Sequence, residues 1–371
     1  MRILQLVSAF AYSGPAEPML ALSVSLAARG HEVTVGHDTV RPEGNVHEEG
    51  MGPRVKATGL PVAHELALCT QSGPITWARD VVRLRKRMQQ VDVVHVHFSH
   101  DHVLAQAARP AHGGPALVRT IHSERSLRAR PLQGALLRRA DALVVHSEEL
   151  KRLGCERLHL DPARVHVIGG AVDLARFTPV ERESRAARFR VRHNLPAGPT
   201  VAMVAIFQKG RGQERLLAAW PAIRAQLPDA QLWFVGLGEE REHLMAQARD
   251  LPGVHFLGYL TDELPDAYTA ADVTVLLAVG NDGFGRAMLE SLASGTPVVG
   301  ADIPPVASVL RGRNVGTLVP PHDVDALASA VVAALREGAS RRGEARALVE
   351  REYSQDRVTE QTLALYRALR A

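Results

Sequence analysis

The chain has 371 residues, 46% of them hydrophobic and 23% charged, with a formal net charge of +4. That length accommodates two domains of ordinary size, and that composition is globular rather than disordered. Two cysteines, Cys69 and Cys155, far apart and without a CxxC, exclude a disulfide scaffold and a cysteine-based zinc site and fit a reducing, cytoplasmic setting. The first strand is expected at residues 2–7: the run is too short for a secretory signal and carries Gln5 inside it. A loop with Ser13, Gly14 and Pro15 follows, then a helix with Met19, Leu22 and Leu26 on one face, a stop at Gly30 and a second strand at 31–35. This β-loop-α-β opening is that of a doubly wound domain, and the absence of GxGxxG argues against a dinucleotide cofactor. Residues 36–73 read as loop-rich.

A helix is expected over 75–90, with Ile75, Val82 and Met88 as its apolar stripe and Arg79, Arg83, Arg85, Lys86 and Arg87 as its charged face. That face is either simply solvated or in contact with an anionic membrane surface. Residues 1–170 hold 21 Lys/Arg against 16 Asp/Glu. This surplus is too small for nucleic-acid binding, and an anionic acceptor or an overall arginine bias accounts for it. The segment VDVVHVHFSHDH gives a buried strand at 91–96, with His95 and His97 on one face and His100 and His102 in the following loop. Four histidines so close together leave three readings open: a metal site, the lining of a cleft, or the cap of a strand end.

Another strand at 116–121 ends in His122, and Arg125, Arg128 and Arg130 follow in a segment suited to an anion. Strands are also expected at 164–168, 200–206 and 231–235, with a charged linker over 181–199. Lys209 and Arg211 sit in the loop before the helix that follows the strand at 200–206. Asp323 reads as a helix N-cap, and the last helix is placed at about residues 356–369.

The most informative stretch is 279–300, VGNDGFGRAMLESLASGTPVVG: a glycine loop, a helix stopped at Gly295, and a buried strand opening at Val298. A glycine loop feeding a helix start offers free N–H groups and the positive end of a dipole to an anion. The dipole alone contributes only about 0.3–1 kcal/mol, so a diphosphate also needs cations, for which Arg286 is suited. Glu290 is placed to accept from ribose hydroxyls.

The string from Asp282 to Val299, acidic-Gly-Phe-Gly-x4-Glu-x4-Gly-x-Pro-Val-Val, resembles the signature of the family-4 glycosyltransferases. These are retaining, metal-independent enzymes of the GT-B fold that use nucleotide-sugar donors. Segments such as 138–147, 169–179 and 236–239 resemble the same family. The resemblance implies an α/β fold of two Rossmann-like domains facing across a cleft. Residues 1–178, with the helix 352–371 packed back on them, would form the acceptor-binding domain, and 179–351 the nucleotide-sugar domain. It implies catalytic roles for His122, Lys209, Arg211 and Asp282. Donor contacts fall to Gly14, Gly236, Gly238, Leu257, Gly283, Phe284, Gly285, Arg286 and Glu290. His97 and Arg125 stand on the acceptor side, and no metal or cofactor is implied.

The expected partners are a UDP- or GDP-sugar and a hydroxyl acceptor, for glycan, lipid or cell-envelope synthesis in the cytoplasm or at the inner membrane face. Asp282, Ile206 and Pro15 depart from the family pattern. They leave room for a nucleotide-sugar-binding pseudoenzyme, and the His95–His102 cluster for a metallohydrolase.

Overall fold

The computed structural model describes residues 1–10, 15–39, 50–128, 132–279 and 285–371. The chain divides into two compact units, 1–170 with 355–371, and 171–354. The division falls a few residues before the expected boundary at 178. Residues 171–178 belong with the second unit because Val172 and Phe177 pack into its core with Leu292 and Leu348, and Arg346 donates to the carbonyls of Leu174 and Phe177.

The first unit holds a parallel sheet of β1 (Arg2–Val7), β2 (Glu32–His37), β3 (Val93–Val96), β4 (Ala116–Ile121), β5 (Ala142–Val145) and β6 (Val165–Val167), in the order β2-β1-β3-β4-β5-β6. The second holds β7 (Thr200–Val204), β8 (Gln231–Val235), β9 (Val254–Gly258), β10 (Val273–Leu276), β11 (Val298–Ala301) and β12 (Gly316–Val319), in the order β12-β11-β10-β7-β8-β9. In each sheet the chain winds outward in one direction, then returns to wind the other way. The reversal lies between β1 and β3 in the first unit and between β7 and β10 in the second. Helices leave the two strands on opposite faces there, so the strand ends stay uncovered and ligands collect beside them.

The strands are short and apolar, as both faces of a parallel sheet are covered. In the second unit Trp220, Trp233, Phe207 and Phe234 are fully buried. The Trp220 indole N–H donates to the Pro252 carbonyl at 2.9 Å. No described helix is long and apolar enough to cross a membrane.

Several expectations are corrected. Within 36–73 there is a helix, Met51–Ala57, anchored by buried Met51 and Val55. The helix Pro74–Met88 buries Asp80, Leu84 and Met88, whereas Ile75 and Val82 are 70% and 69% exposed. The face is rotated because the Asp80 carboxylate turns inward to accept the N–H groups of Ala67 and Leu68, both at 3.0 Å. His100 and His102 lie on the helix Ser99–Ala108, not in a loop. The expected linker contains a helix, Arg182–Arg192, whose Ala186 and Phe189 pack with Trp233. Asp323 does cap its helix, accepting from the Ala326 N–H at 2.8 Å. The last helix, Gln355–Ala368, packs in the first unit, where Arg29 pairs with Asp356 and Tyr366 is fully buried.

At β8's end the backbone must pass very close to the β7 loop. A Cβ on Gly236 (φ 144°) would lie 2.1 Å from the Ala205 carbonyl oxygen, and one on Gly238 (φ 156°) 2.2 Å from that of Phe207. The Gly236→Ala substitution is therefore expected to destabilise the second unit by about 1–3 kcal/mol, the usual cost of such backbone strain. An unchanged denaturant midpoint would show that the two loops part freely.

Candidate functional site

In the second unit the chain leaves β7 through Ala205 to Gly212 and enters the helix Gln213–Gln226. Gly212, at its N-cap, offers no side-chain acceptor, so the first-turn N–H groups face outward with the positive end of the dipole. Lys209 is exposed and Arg211 half-buried in this loop. The loop is held from two sides. The Phe207 N–H donates to the Leu237 carbonyl at 2.8 Å, and the Val279 N–H to the Gly210 carbonyl at 3.2 Å. Arg215 donates to the Leu277 carbonyl. The ends of β7, β8 and β10 are thereby stitched together around one helix start preceded by two cationic residues. Ile206, which departs from the family pattern, is 43% exposed in the same loop.

The helix Arg286–Ala293 starts at Gly285 and carries Glu290, which is only 4% exposed. The Tyr268 hydroxyl donates to Glu290 Oε2 at 2.9 Å, and Arg286 Nε lies 3.2 Å from Oε1. The structure thus pairs Arg286, expected to serve a phosphate, with the carboxylate one turn on. Burial first, and then the Glu290 charge, push the Tyr268 hydroxyl well above its ordinary pKa, so it remains a donor. Sequence reasoning missed Tyr268, 22 positions away, because a buried tyrosine in an apolar helix looks like core. Leu257 is half-buried against the cluster of Phe189, Trp233 and Val235, and Tyr259 beyond it is 70% exposed. Gly14, Asp282, Gly283, Phe284 and Arg130 lie outside the described residues.

In the first unit the histidines form a line across the strand ends. Gln5 Oε1 lies 3.0 Å from His97 Nε2, and His97 Nδ1 lies 3.0 Å from His122 Nε2. His122 Nδ1 lies 3.2 Å from His146 Nε2, and His146 Nδ1 lies 3.2 Å from the Ile168 carbonyl. His95 stacks on His97 with ring centroids 4.6 Å apart, and bridges the Tyr366 hydroxyl and Thr120 Oγ1, both at 2.6 Å. Expected residues His97 and His122 are therefore in direct contact, and both ring nitrogens of His122 are engaged. His146 was missed, since one histidine at the end of an apolar strand carries no motif. Arg125 is exposed in the turn Glu124–Leu127.

The four histidines of 95–102 do not converge on one point. His95 and His97 stand on one face of β3, while His102 is buried on the following helix. Among the described residues, the one group of three potential ligands with atoms within 4.8 Å of one another is Glu214, Glu240 and His243, elsewhere.

On the other side of the sheet Asp101 clips β1 to β3. Its carboxylate accepts the N–H groups of Ser8 (2.7 Å), His97 (3.3 Å) and Phe98 (2.9 Å). Arg119, aligned with Val96 and so on that same side, is fully buried, and burial lowers its pKa to about 10 despite the nearby Asp101 charge.

Two family models match the chain, "Glycosyltransferase Family 4" over residues 13–176 and "Glycosyl transferases group 1" over residues 198–337. A phosphatidyl-myo-inositol mannosyltransferase of Mycolicibacterium smegmatis is 30% identical over 350 residues, covering 88% of this chain and 82% of that protein. A D-inositol 3-phosphate glycosyltransferase of a Nocardioides species is 29% identical over 333 residues, covering 80% and 71%. Among solved structures, a glycosyltransferase from Rickettsia africae superposes with a TM-score of 0.80 at 16% identity over 99% of this chain and 98% of that one. Anabaena HepE, solved in complex with UDP and glucose, gives 0.80 at 18% identity over 99% and 100%. At such identities the structural matches speak for the fold, which is GT-B.

Burial holds the imidazoles of His95 and His102 neutral, with pKa values near 3, and lowers those of His97, His122 and His146. In the unfolded chain they titrate near 6.5, so the unfolded state binds more protons below that pH. Stability from these groups is complete above pH 6.5 and falls as pH drops towards 3, by roughly 1.4 kcal/mol per pH unit for each such histidine. Denaturant midpoints measured from pH 7.5 to 5 are expected to fall steeply, and a flat profile would contradict buried neutral rings.

Proposed function

The chain belongs to glycosyltransferase family 4, and from that premise we propose that it moves a sugar, with anomeric retention, from a nucleoside-diphosphate donor to a hydroxyl of an inositol-phosphate acceptor, free or lipid-linked. The observation that carries this reading is the stitched loop at the β7–β10 reversal, where Lys209 and Arg211 precede an uncapped helix start. A departing nucleoside diphosphate gains negative charge as its bond to the sugar breaks. Fixed cations and backbone N–H groups at that point favour the transition state over the bound ground state. Glu290, held by Tyr268 and Arg286, suits the ribose hydroxyls, a contact that does not distinguish a UDP- from a GDP-sugar. Asp282, with Gly283 and Phe284, is assigned to the sugar, and His122 to one of its hydroxyls. In this scheme the C1–diphosphate bond breaks, the acceptor oxygen bonds C1 on the same face, and the acceptor's proton passes to the leaving diphosphate.

The acceptor class rests on the relatives named for inositol acceptors and on the basic surplus of the first unit, including exposed Arg125 and Arg128. A lipid-linked acceptor is supported by the helix Pro74–Met88. It presents Ile75, Arg79, Val82 and Lys86 as one exposed stripe, apolar and basic together, which suits an anionic membrane surface.

Lys209→Ala and Arg211→Ala are each expected to lower kcat about 100- to 1000-fold, the loss typical of one transition-state donor. Donor consumption in the presence of myo-inositol phosphate or phosphatidylinositol vesicles measures it. Turnover within about threefold of wild type would remove the two residues from the chemistry, and no turnover by wild type with any donor would leave a binding protein. Co-sedimentation with vesicles containing anionic lipid is expected to fall at least about tenfold in Ile75→Asp/Val82→Asp. Equal sedimentation would place the lipid contact elsewhere.

A further inference from the structure

The line Gln5–His97–His122–His146–Ile168 poses a proton-counting problem. Four contacts join five groups, and each contact needs one proton between its heavy atoms. Three neutral imidazoles bring three protons. The Ile168 carbonyl can only accept, so the fourth proton must come either from a cationic imidazole or from Gln5.

Among the described residues the surroundings disfavour a cationic ring. The line is buried, and the Arg119 guanidinium adds positive potential. Tyr366 from the last helix is neutral, its pKa raised by burial. Asp101, the nearby carboxylate, is already committed to three N–H groups on the far side of the sheet.

Gln5 supplies the alternative. With Oε1 towards His97, its buried Nε2 makes no hydrogen bond of good geometry, although the side chain lies close enough to the Tyr366 hydroxyl to interact with it. The two ends of a carboxamide are nearly isosteric, and their assignment follows from the hydrogen-bond network. Turned by half a turn, the amide donates from Nε2 to His97 Nε2, and the orphan donor disappears. The direction then propagates without choice. His97 Nδ1–H donates to His122 Nε2, His122 Nδ1–H to His146 Nε2, and His146 Nδ1–H to the Ile168 carbonyl.

We propose that Gln5 and His146 are positioning residues that, from the two ends of this line, lock His122 as the neutral Nδ1–H tautomer, with its one lone pair at Nε2 on the His97 side. Both ring nitrogens are then committed to the line, so a sugar hydroxyl can engage the Nε2 lone pair as a donor only by displacing the His97 N–H from it. The consequence for turnover rests on the assignment of His122 to the donor sugar. The tautomer itself does not.

Long-range 1H–15N spectra of the histidine-labelled full chain above pH 7, assigned by His97→Gln and His146→Gln, are expected to show Nδ1–H for all three rings. An Nε2–H tautomer or an imidazolium at any of them overturns the proposal. Gln5→Glu keeps the shape but replaces the donor by an acceptor, so the line must retain a fourth proton. Its apparent ionisation is expected to move up by at least about one pH unit in an NMR titration, and no movement overturns the proposal. In the same variant kcat is expected to drop about 10- to 100-fold at neutral pH with the donor KM little changed, as for other outer partners that orient a functional imidazole. The acidic limb of its pH profile should move up with the titration. The spectra need no substrate, so normal tautomers with unaltered turnover would count against the role of His122 and not against the line.

Discussion

A right-handed crossover can follow a parallel strand on one face only, so a sheet that winds both ways has one place where two neighbouring strands send their chains apart. Both sheets of this molecule obey that constraint, between β1 and β3 and between β7 and β10. What differs is how the opening is furnished. In the second unit it is furnished with backbone: bare helix start, glycine close approaches at Gly236 and Gly238, and two cationic residues in the connecting loop. In the first it is furnished with imidazoles, which are neutral because they are buried.

That division suits a group-transfer reaction with one highly charged partner. A diphosphate calls for N–H groups and fixed positive charge, which the second unit offers at little reorganisation cost. A sugar or polyol hydroxyl calls for neutral groups, and the proposed function places it beside the histidines aligned on strand ends. The Asp101 clip matters here as support. By taking three N–H groups from the ends of β1 and β3 it fixes the strand ends from which Gln5 and His97 project.

Much of this was legible in the amino-acid order. The run from Gly283 to Val299 announces loop, helix and buried strand through glycine, proline and apolar spacing, and the helix and strand lie where those residues put them. His97 and His122 could be named because the segments that hold them resemble those of the glycosyltransferase family. Less legible was anything decided by a distant partner. Tyr268 and His146 are unremarkable in sequence and acquire meaning only when folding brings them to Glu290 and His122. Asp80 misled the reading of its helix, since hydropathy sends a carboxylate outward whereas two loop N–H groups draw this one in. The charged stretch around 182–192 read as a linker because its few apolar residues, Ala186 and Phe189, show their purpose only against Trp233.

The central claim is that the loop carrying Lys209 and Arg211, together with Glu290 on the separate helix Arg286–Ala293, is where a nucleoside diphosphate is held. Calorimetric titration of the full chain with UDP and with GDP tests it most directly. The account predicts one site for one of them, weakened at least about tenfold, or about 1.4 kcal/mol, by Arg211→Ala and by Glu290→Gln. Binding of either nucleotide that is indifferent to both substitutions would contradict it.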